Sequence, residues 1–365
     1  MKTATSLYDY RAIPKKILVL RGDGIGDFIM SIPAMTQLRQ VYKDAHIVLF
    51  SCNWQEPLAR ASGLFDEIIS WDQSGNYYLT KPKRFKYLSF RAFRFLRKIR
   101  RYGFDLAIDF KSDPRNRLIM WLCGIKVRFG FDKGLFRQLL NYRIPYQRNQ
   151  HESKCDLMLA NAVSGEQFSG QYIFVIPDED KRKAELFLGE SGFINHDKLV
   201  VIHPVARWPA KMWPKLKSAQ LADRLLSLSG VKVVFVGAAE DLAQINQIKA
   251  LMKHRPIVSA GSLNFLQMSA LIQRSSVFIG NDAAPMHISG LLNIPTIALF
   301  GPTDPNLTRP FGSQTTVIRK IMDKCSKCFR HNIGNCVNPG SFCMDLITVD
   351  EVFNQCLKYL NGDKD

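Results

Sequence analysis

Short runs of apolar and often β-branched residues recur along the first half of the chain, each followed by a longer, more mixed stretch. Such runs are typical of strands that are buried on both faces of a sheet. The predicted strands of the first half are Lys16–Leu20, His46–Ser51, Phe65–Ser70 and Phe104–Asp109. After the first strand, apolar residues at helical spacing predict a helix from Phe28. Alternation of strands with helices predicts a parallel sheet.

The alternation restarts at Leu199 and continues through the second half of the chain. The predicted strands are Leu199–His203, Val231–Val236, Ile257–Ser259, Ser276–Gly280 and Thr296–Phe300. The predicted helices are Pro214–Leu228, Leu242–Met252, Leu263–Ile272, Pro285–Leu292 and Val349–Leu360. An acidic, helix-forming stretch, Asp178–Glu190, joins the two halves. The second half is therefore also predicted to be an α/β domain.

Two doubly wound α/β domains with a cleft between them are the natural architecture for this pattern. We place an N-terminal Rossmann-like domain at 1–180 and a linker helix region at 181–198. A C-terminal Rossmann-like domain at 199–345 and a C-terminal helix at 346–365 complete the chain. Ligands of such sheets bind beyond the carboxyl ends of the strands, so chemistry is expected in the loops that follow the strands.

Composition narrows the class of protein. The chain has 365 residues, with 50 Lys and Arg against 32 Asp and Glu, a formal net charge of +18. Its apolar fraction of 46% is typical of globular cores and excludes a disordered chain. No apolar run approaches the ~20 residues that span a bilayer, and the N-terminus lacks the apolar core of a signal peptide. We therefore expect a soluble, intracellular protein with anionic partners.

The positive charge is most concentrated between Lys81 and Arg101, a stretch with ten basic side chains and no acidic one. As a helix from about Tyr87, this stretch would be amphipathic. Its apolar face would carry Leu88, Ala92, Phe95, Ile99 and Tyr102, and its basic face Arg91, Arg94, Lys98 and Arg101. Such a helix can lie on an anionic membrane surface. It can equally be a surface helix that packs on its own domain.

Four of the eight cysteines fall within 19 residues near the C-terminus. These are Cys325, Cys328, Cys336 and Cys343. Four thiolates suit a tetrahedral structural Zn or Fe site, which would leave no open position for a substrate. Reduced thiols and a disulfide are the alternatives, and a disulfide is disfavoured without a secretion signal.

The loop after the first strand, Gly22–Asp27, contains three glycines that allow a tight turn and close approach of a ligand. Its spacing does not fit the dinucleotide fingerprint, and no phosphate-binding Gly-Lys-Ser/Thr motif is present. Asp27 opens the predicted helix. It is either an acid that the helix dipole stabilises or a general base that projects into the cleft. Asp23 is the competing carboxylate.

Three loops of the second half carry polar residues after predicted strands. The loop after Leu199–His203 holds Arg207 and Lys211, cations that could bind phosphates. Asp241, after the next strand, could bind a ribose or cap a helix.

In the third loop, Asp282 is a predicted N-cap of the helix at Pro285. The free amides at this helix start favour phosphate. His287 is either a ligand contact or a buried helix histidine.

Several of these segments resemble glycosyltransferase family 9, the heptosyltransferases. The resemblance rests on Asp23–Asp27 with Ser31–Met35, on His203–Pro214, and on Gly280–His287 through Pro295–Pro305. It covers the chain from about Lys15 onward, with the motifs in the family's order. Several members of the family also carry a C-terminal cysteine cluster like Cys325–Cys343. The resemblance implies a glycosyltransferase-B fold of two Rossmann-like domains, with the acceptor-binding domain first and the nucleotide-sugar-binding domain second.

The resemblance also implies an inverting, metal-independent transfer of heptose from ADP-heptose to a lipopolysaccharide core. When the family's functional residues are matched to this sequence one by one, the resemblance implies that Asp27 is the general base. It also implies that Lys211 is the cation near the donor diphosphate. Asp282 and His287 match the donor-binding loop, and Asp241, next to Glu240, matches the acid near the nucleotide ribose.

The chain departs from the family at two loops. Ala283 and Ala284 replace a hydroxyl residue and a glycine, which removes a hydroxyl contact to phosphate. Val205 stands where the family has a glycine after His-Pro. These departures lie in the predicted donor-binding loops, so the resemblance specifies the identity of the nucleotide-sugar donor less closely than the fold.

The mechanism predicted from these residues is a single displacement. Asp27 takes the acceptor proton while Lys211, Arg207 and the helix start after Asp282 stabilise the leaving diphosphate. The predicted donor-binding residues are Arg207, Lys211, Asp241, Asp282, Ala283, Ala284 and His287. The predicted acceptor-binding residues are Asp23, Gly24, Gly26, Lys81, Arg84 and Arg91. No catalytic cofactor is expected.

The expected location is the cytoplasm, with peripheral contact to the anionic inner membrane. We expect no nucleic-acid partner. The alternatives are another nucleotide-sugar donor, a protein or other glycan acceptor, and a non-catalytic protein that binds sugar nucleotides or nucleic acid.

Overall fold

The computed structural model describes residues 13–71, 90–167, 174–194, 196–320 and 343–362. The chain divides into two compact units, Met1–Ile173 (unit 1) and Phe174–Asp365 (unit 2). Each unit contains its own six-stranded sheet.

Unit 1 is built on a fully parallel sheet of strands β1 to β6. These strands are Lys16–Leu20, His46–Cys52, Glu67–Trp71, Leu106–Asp109, Val127–Phe131 and Tyr142–Ile144. Their order across the sheet is β3-β2-β1-β4-β5-β6. In register, Leu18 of β1 pairs with Val48 of β2 on one side and with Ala107 of β4 on the other. The order therefore reverses direction between β1 and β4.

Five helices of unit 1, α1 to α5, connect or follow these strands. They are Ile25–Val41, Glu56–Ala61, Phe90–Tyr102, Pro114–Leu122 and Glu152–Ser164. Helices α1 and α5 pack against each other. Asp113 caps α4, because its side chain accepts a hydrogen bond from the Arg115 amide.

Unit 2 repeats the same plan with strands β7 to β12. These are Lys198–His203, Val231–Phe235, Ile257–Val258, Val277–Asn281, Thr296–Phe300 and Thr315–Arg319. Their order is β12-β11-β10-β7-β8-β9, and every pairing is parallel. The reversal of order falls here between β7 and β10.

In the part of unit 2 that the structure describes, helices α6 to α12 are arranged around this sheet. They are Asp178–Glu190, Lys215–Leu226, Leu242–Lys249, Phe265–Gln273, Ala284–Leu291, Pro305–Thr308 and Val349–Asn361. The first of them, α6, packs on α9, and the last, α12, packs on α7.

The central strands of both units are buried on both faces, as the apolar runs predicted, and helix residues complete the cores. All residues of β1 after Lys16 are buried, and so are all residues of β10 and β11. The prediction of two doubly wound parallel sheets is thus confirmed.

The predicted basic amphipathic helix corresponds to α3. Phe95 and Leu96 are partly buried and Ile99 is fully buried in the core of unit 1, whereas Arg94 and Lys98 are exposed. The predicted start near Tyr87, together with Lys81 and Arg84, lies outside the described residues, as does the side chain of Arg91. Of the helices in the described ranges, none has the length and apolar character that a bilayer crossing requires.

Candidate functional site

The carboxyl ends of the strands on either side of each reversal of strand order form the candidate sites. In unit 1 these are the ends of β1 and β4, and in unit 2 the ends of β7 and β10. A crevice opens at such a position because the connections on its two sides leave towards opposite faces of the sheet. Most of the predicted site residues that the structure describes follow these strands.

In unit 1, the buried side chain of Arg21 joins the ends of the two central strands. Its Nη1 donates to the Phe110 carbonyl after β4 at 3.0 Å, and its Nη2 donates to the Asp27 carbonyl at 3.0 Å. Two carboxylates balance its charge, with Asp23 Oδ1 3.1 Å from Nε and Asp156 Oδ2 3.7 Å from Nη1. Arg21 therefore fixes the loop that carries both candidate carboxylates.

Asp27 is half-buried in the first turn of α1. Its Oδ2 accepts a hydrogen bond from the Gly24 amide at 3.1 Å, so it does stabilise the start of the helix. Within the described ranges, its Oδ1 accepts no hydrogen bond. The carboxylate thus has a fixed orientation and one oxygen available.

Asp23 has a different environment, although it belongs to the same loop. It is buried, and burial raises its pKa to about 7 while the neighbouring Arg21 opposes this shift. Its carbonyl accepts hydrogen bonds from Trp54 Nε1 and Gln55 Nε2. The loop is therefore held from the side of β2 as well.

Gly24 and Gly26 are half-buried in the same loop. A Cβ on Gly24 would lie 2.8 Å from Asp27 Oδ2, so a side chain here would displace the Asp27 carboxylate from its present position. Its φ of −72° is open to any residue. The glycine allows the Asp27 carboxylate to approach the backbone.

A cation that sequence reasoning missed also lies at this edge. Lys111 follows β4, and its Nζ donates to the Gly22 carbonyl at 2.7 Å. Burial lowers its pKa, and Asp23 and Asp113 oppose this effect. Its place directly after the predicted strand Phe104–Asp109 was the signal that could have found it.

In unit 2, side chains from two loops and from helix α10 meet at one carboxylate. Lys211 Nζ donates to Asp282 Oδ2 at 2.6 Å, and Thr303 Oγ1 donates to the same oxygen at 2.7 Å. His287 Nε2 lies 4.0 Å from Asp282 Oδ1. Asp282, Thr303 and His287 are buried, and Lys211 is partly exposed. Thr303, which follows β11, was not predicted.

The prediction that Asp282 caps the following helix is wrong. Helix α10 begins at Ala284, its N-cap is Ala283, and no side chain caps it. Asp282 is turned to Lys211 and Thr303 instead, because an ion pair and a hydroxyl compete for its carboxylate.

Neither alanine of this loop needs the backbone freedom of glycine. Ala283 is extended with φ −154°, and Ala284 is the first residue of the helix. The substitution of the family's glycine thus causes no backbone strain here.

Asn281 ties the two central loops of unit 2 together. Its Nδ2 donates to the Pro204 carbonyl at 2.8 Å, and its Oδ1 accepts from the Trp213 amide at 3.1 Å. Trp213 itself is buried in the core. His203 is buried beside these groups, and burial lowers its pKa to about 4. It is therefore neutral at physiological pH.

The remaining predicted donor residues lie on neighbouring loops. Arg207 is exposed after β7. Asp241 Oδ2 accepts a hydrogen bond from the Ala238 amide at 2.9 Å, so Asp241 caps the short helical turn that it ends. Burial raises the pKa of Asp241. Glu240 beside it is exposed.

Of the cysteine cluster, Cys325, Cys328 and Cys336 lie outside the described residues. Cys343 begins the short turn Cys343–Leu346. Among the residues that the structure describes, no group of three or more His, Cys, Asp or Glu side chains could hold a metal ion. The four-thiolate metal site stays a prediction.

The family model of glycosyltransferase family 9 (heptosyltransferase) matches residues 92–336, and the chain belongs to this family. It is therefore a glycosyltransferase. The chain is 26% identical to lipooligosaccharide heptosyltransferase 2 of Haemophilus influenzae over 319 residues. This alignment covers 84% of this chain and 88% of that protein.

Two solved structures share the fold. The glycosyl transferase of family 9 from Veillonella parvula superposes with a TM-score of 0.82 at 22% identity, covering 95% of this chain and 98% of that one. The ADP-heptose lipopolysaccharide heptosyltransferase II of E. coli gives a TM-score of 0.75 at 22% identity, covering 96% and 100%. The predicted glycosyltransferase-B fold is confirmed.

Proposed function

We propose that the protein transfers heptose from ADP-heptose to a lipopolysaccharide core acceptor with inversion at the anomeric carbon. Family membership supports a heptosyltransferase, and the name of the E. coli structure supports ADP-heptose as the donor. The observation that carries the proposed chemistry is the fixed carboxylate of Asp27, with one oxygen on the Gly24 amide and the other open.

In this proposal unit 2 binds the donor. Lys211 and Arg207 contact the diphosphate, and the free amides at Ala283 and Ala284 add partial positive charge at the start of α10. The acidic pair Glu240 and Asp241 binds the ribose. Asp282 orients Lys211 through the 2.6 Å contact, and His287 lies behind it.

Unit 1 binds the acceptor through the loop after β1. Asp23, Gly24 and Gly26 shape this loop, and Lys81, Arg84 and Arg91 are proposed to bind anionic groups of the core. Asp27 Oδ1 takes the proton of the acceptor hydroxyl as its oxygen attacks the anomeric carbon. The bond from that carbon to the diphosphate breaks, and its electron pair leaves with ADP, whose charge the cations of unit 2 stabilise.

Asp27→Asn tests the base, because the amide oxygen can still accept from the Gly24 amide and keep the start of α1 intact. We expect kcat to fall about 10²- to 10⁴-fold while ADP binding is unchanged. Asp23→Asn is the matched control from the same loop and should keep far more activity. Transfer at the wild-type rate by Asp27→Asn would falsify the assignment.

We also propose that the protein contacts anionic membrane through α3. Arg94, Arg97, Lys98 and Arg101 line one shallow groove on this helix together with Phe95. Exposed cations over a buried apolar face suit a surface rich in anionic lipid headgroups. Co-sedimentation with phosphatidylglycerol vesicles should decrease when Arg97 and Lys98 are changed to Glu. The same change at Lys249 and Lys253 of unit 2 should leave it unaltered.

A further inference from the structure

Trp54 presents a large aromatic surface next to the loop that carries Asp27. It lies in the short turn Asn53–Gln55 after β2 and is 42% exposed. Its indole Nε1 donates to the Asp23 carbonyl at 2.9 Å. The polar atom of the ring is therefore satisfied, and the exposed part is apolar.

The turn that carries Trp54 is fixed by its neighbour Gln55, which is fully buried. Gln55 Oε1 accepts from the Cys52 amide at 3.3 Å. Its Nε2 donates to the carbonyls of Asp23 at 3.3 Å and Gly24 at 3.2 Å. Because the turn and the ring are both anchored, the exposed ring face is ordered before any ligand arrives, which lowers the entropy cost of binding.

Trp54 and Asp27 hold the same peptide group from its two ends. The Asp23 carbonyl accepts from Trp54, and the amide of the same peptide, on Gly24, donates to Asp27 Oδ2 at 3.1 Å. With standard peptide bond lengths, Trp54 Nε1 and Asp27 Oδ2 are no more than about 9 Å apart. An acceptor whose hydroxyl reaches Asp27 thus has its next sugar ring within reach of Trp54.

We propose that Trp54 is an acceptor-binding residue that stacks on the apolar C–H face of a sugar ring adjacent to the one that carries the reactive hydroxyl. This inference rests on the proposed function and adds a specificity residue to it. A rigid aromatic ring provides apolar contact area at low entropic cost, and a sugar ring offers a flat C–H face to match it. In this arrangement the Asp27 carboxylate accepts the proton of the reactive hydroxyl, and Trp54 binds the adjacent sugar ring.

The test compares Trp54→Ala and Trp54→Phe with Trp121→Ala. Trp121 is 52% exposed on α4, which starts after β4 and runs back to the opposite edge of the sheet, so it is a matched control. The substrates are ADP-heptose and de-acylated lipopolysaccharide cores truncated before, or after, their first heptose. We expect Trp54→Ala to raise the acceptor KM about 3- to 10-fold with the donor KM unchanged. Trp54→Phe should keep the acceptor KM within about 2-fold of wild type, because it keeps an aromatic ring, and Trp121→Ala should match the wild-type acceptor KM.

A second measurement needs no turnover and so separates this inference from the proposed function. Titration of the same core oligosaccharides should change the tryptophan fluorescence of the wild type and of Trp121→Phe, but not that of Trp54→Phe. An unchanged acceptor KM in Trp54→Ala, or a full fluorescence response in Trp54→Phe, would overturn the role of Trp54. Failure of the wild type to transfer heptose to any core would overturn the proposed function, while the fluorescence response would still decide the role of Trp54.

Discussion

Lys211 and Asp282 form an ion pair of 2.6 Å between the loop after β7 and the loop after β10. The same carboxylate oxygen accepts from Thr303 at 2.7 Å. The cation proposed for the donor diphosphate is thus held by a carboxylate that is itself held by a third loop. The position of Lys211 depends on residues more than seventy positions away in the sequence.

Thr303→Val should weaken binding of ADP about 3- to 10-fold, because Asp282 loses one of the two donors that it has among the described residues, and with it its orientation. Thr303→Ser should restore binding, which isothermal titration calorimetry can measure. Thr308→Val is the control, since the buried Thr308 hydroxyl makes no hydrogen bond with the described residues. Equal affinities in Thr303→Val and wild type would contradict this role.

Asp156→Asn should lower kcat about 10-fold while both KM values stay within about 2-fold. Asp156 Oδ2 accepts from Ser31 Oγ at 2.7 Å and faces Arg21, which holds the Asp27 carbonyl. The amide keeps the Ser31 bond but removes the charge that balances Arg21, so the loop is expected to shift. Steady-state kinetics at saturating donor and acceptor measures the effect.

A comparison with another buried ion pair shows whether this effect is specific. Asp109 is as deeply buried as Asp156 and lies 3.4 Å from Arg117. Within the described residues, its carboxylate accepts hydrogen bonds from the Lys111 and Ser112 amides and from Asn116, and not from the loop Gly22–Asp27. Asp109→Asn should lower thermal stability by a similar amount and leave kcat close to wild type. A parallel loss of kcat in both variants would show that general destabilisation is the cause.

The stability of unit 2 should fall as the pH decreases from 7 to 5, and His203 should account for part of this fall. Burial lowers its pKa from 6.5 to about 4, so between these values the unfolded chain binds a proton that the folded chain does not. Its contribution to stability is therefore complete above about pH 6.5 and is lost as the pH decreases towards 4.

His203→Gln removes the titrating group. The difference in free energy of unfolding between wild type and His203→Gln should change by about 2 kcal/mol between pH 7 and pH 5, in the direction that disfavours wild type at pH 5. Urea denaturation at each pH measures it. A difference that does not vary with pH would refute the assignment.

Gly290→Ala should destabilise unit 2 by about 1–3 kcal/mol. A Cβ at this position of α10 would lie 2.7 Å from Pro310 Cβ and 3.0 Å from the Phe311 amide nitrogen, so the helix could not stay where it is. Gly189→Ala is the matched control in α6, where a Cβ meets nothing within 4 Å. It should stabilise the chain by about 0.5–1 kcal/mol in thermal denaturation.

Most of the strands that the sequence predicted are buried on both faces, whereas the predicted strands β3 and β9 are largely half-buried. In β1 and β10, continuous apolar runs leave no other interpretation. Strands β5 and β12 escaped prediction because their residues are not uniformly apolar or buried. In β5, Arg128 and Gly130 interrupt the pattern, and every residue of β12 is only half-buried. Strand β6 has three residues with the exposed Arg143 in the middle, so no apolar run marks it.

Asp27 and Lys211 were predictable because each is a charged side chain in a loop after a predicted strand. Thr303 and Trp54 follow β11 and β2 even more closely, but their significance comes from hydrogen bonds to residues 21 and 31 positions away, which the sequence does not show. The prediction that Asp282 caps α10 was wrong for the same reason, because the partners of its carboxylate are distant in the sequence. Local sequence favours capping, and a lysine and a threonine from other loops compete for the carboxylate.

The peptide group between Asp23 and Gly24 is hydrogen-bonded both to Trp54, proposed to select the acceptor, and to Asp27, the proposed base. A substitution that moves Trp54 to suit a different glycan also pulls on the amide that orients Asp27. Descendants of this enzyme that acquire new acceptors should therefore vary first at residues that do not touch this peptide. Laboratory evolution of acceptor preference would accumulate its earliest changes away from the turn Asn53–Gln55 and reach Trp54 only together with compensating changes around Gly24.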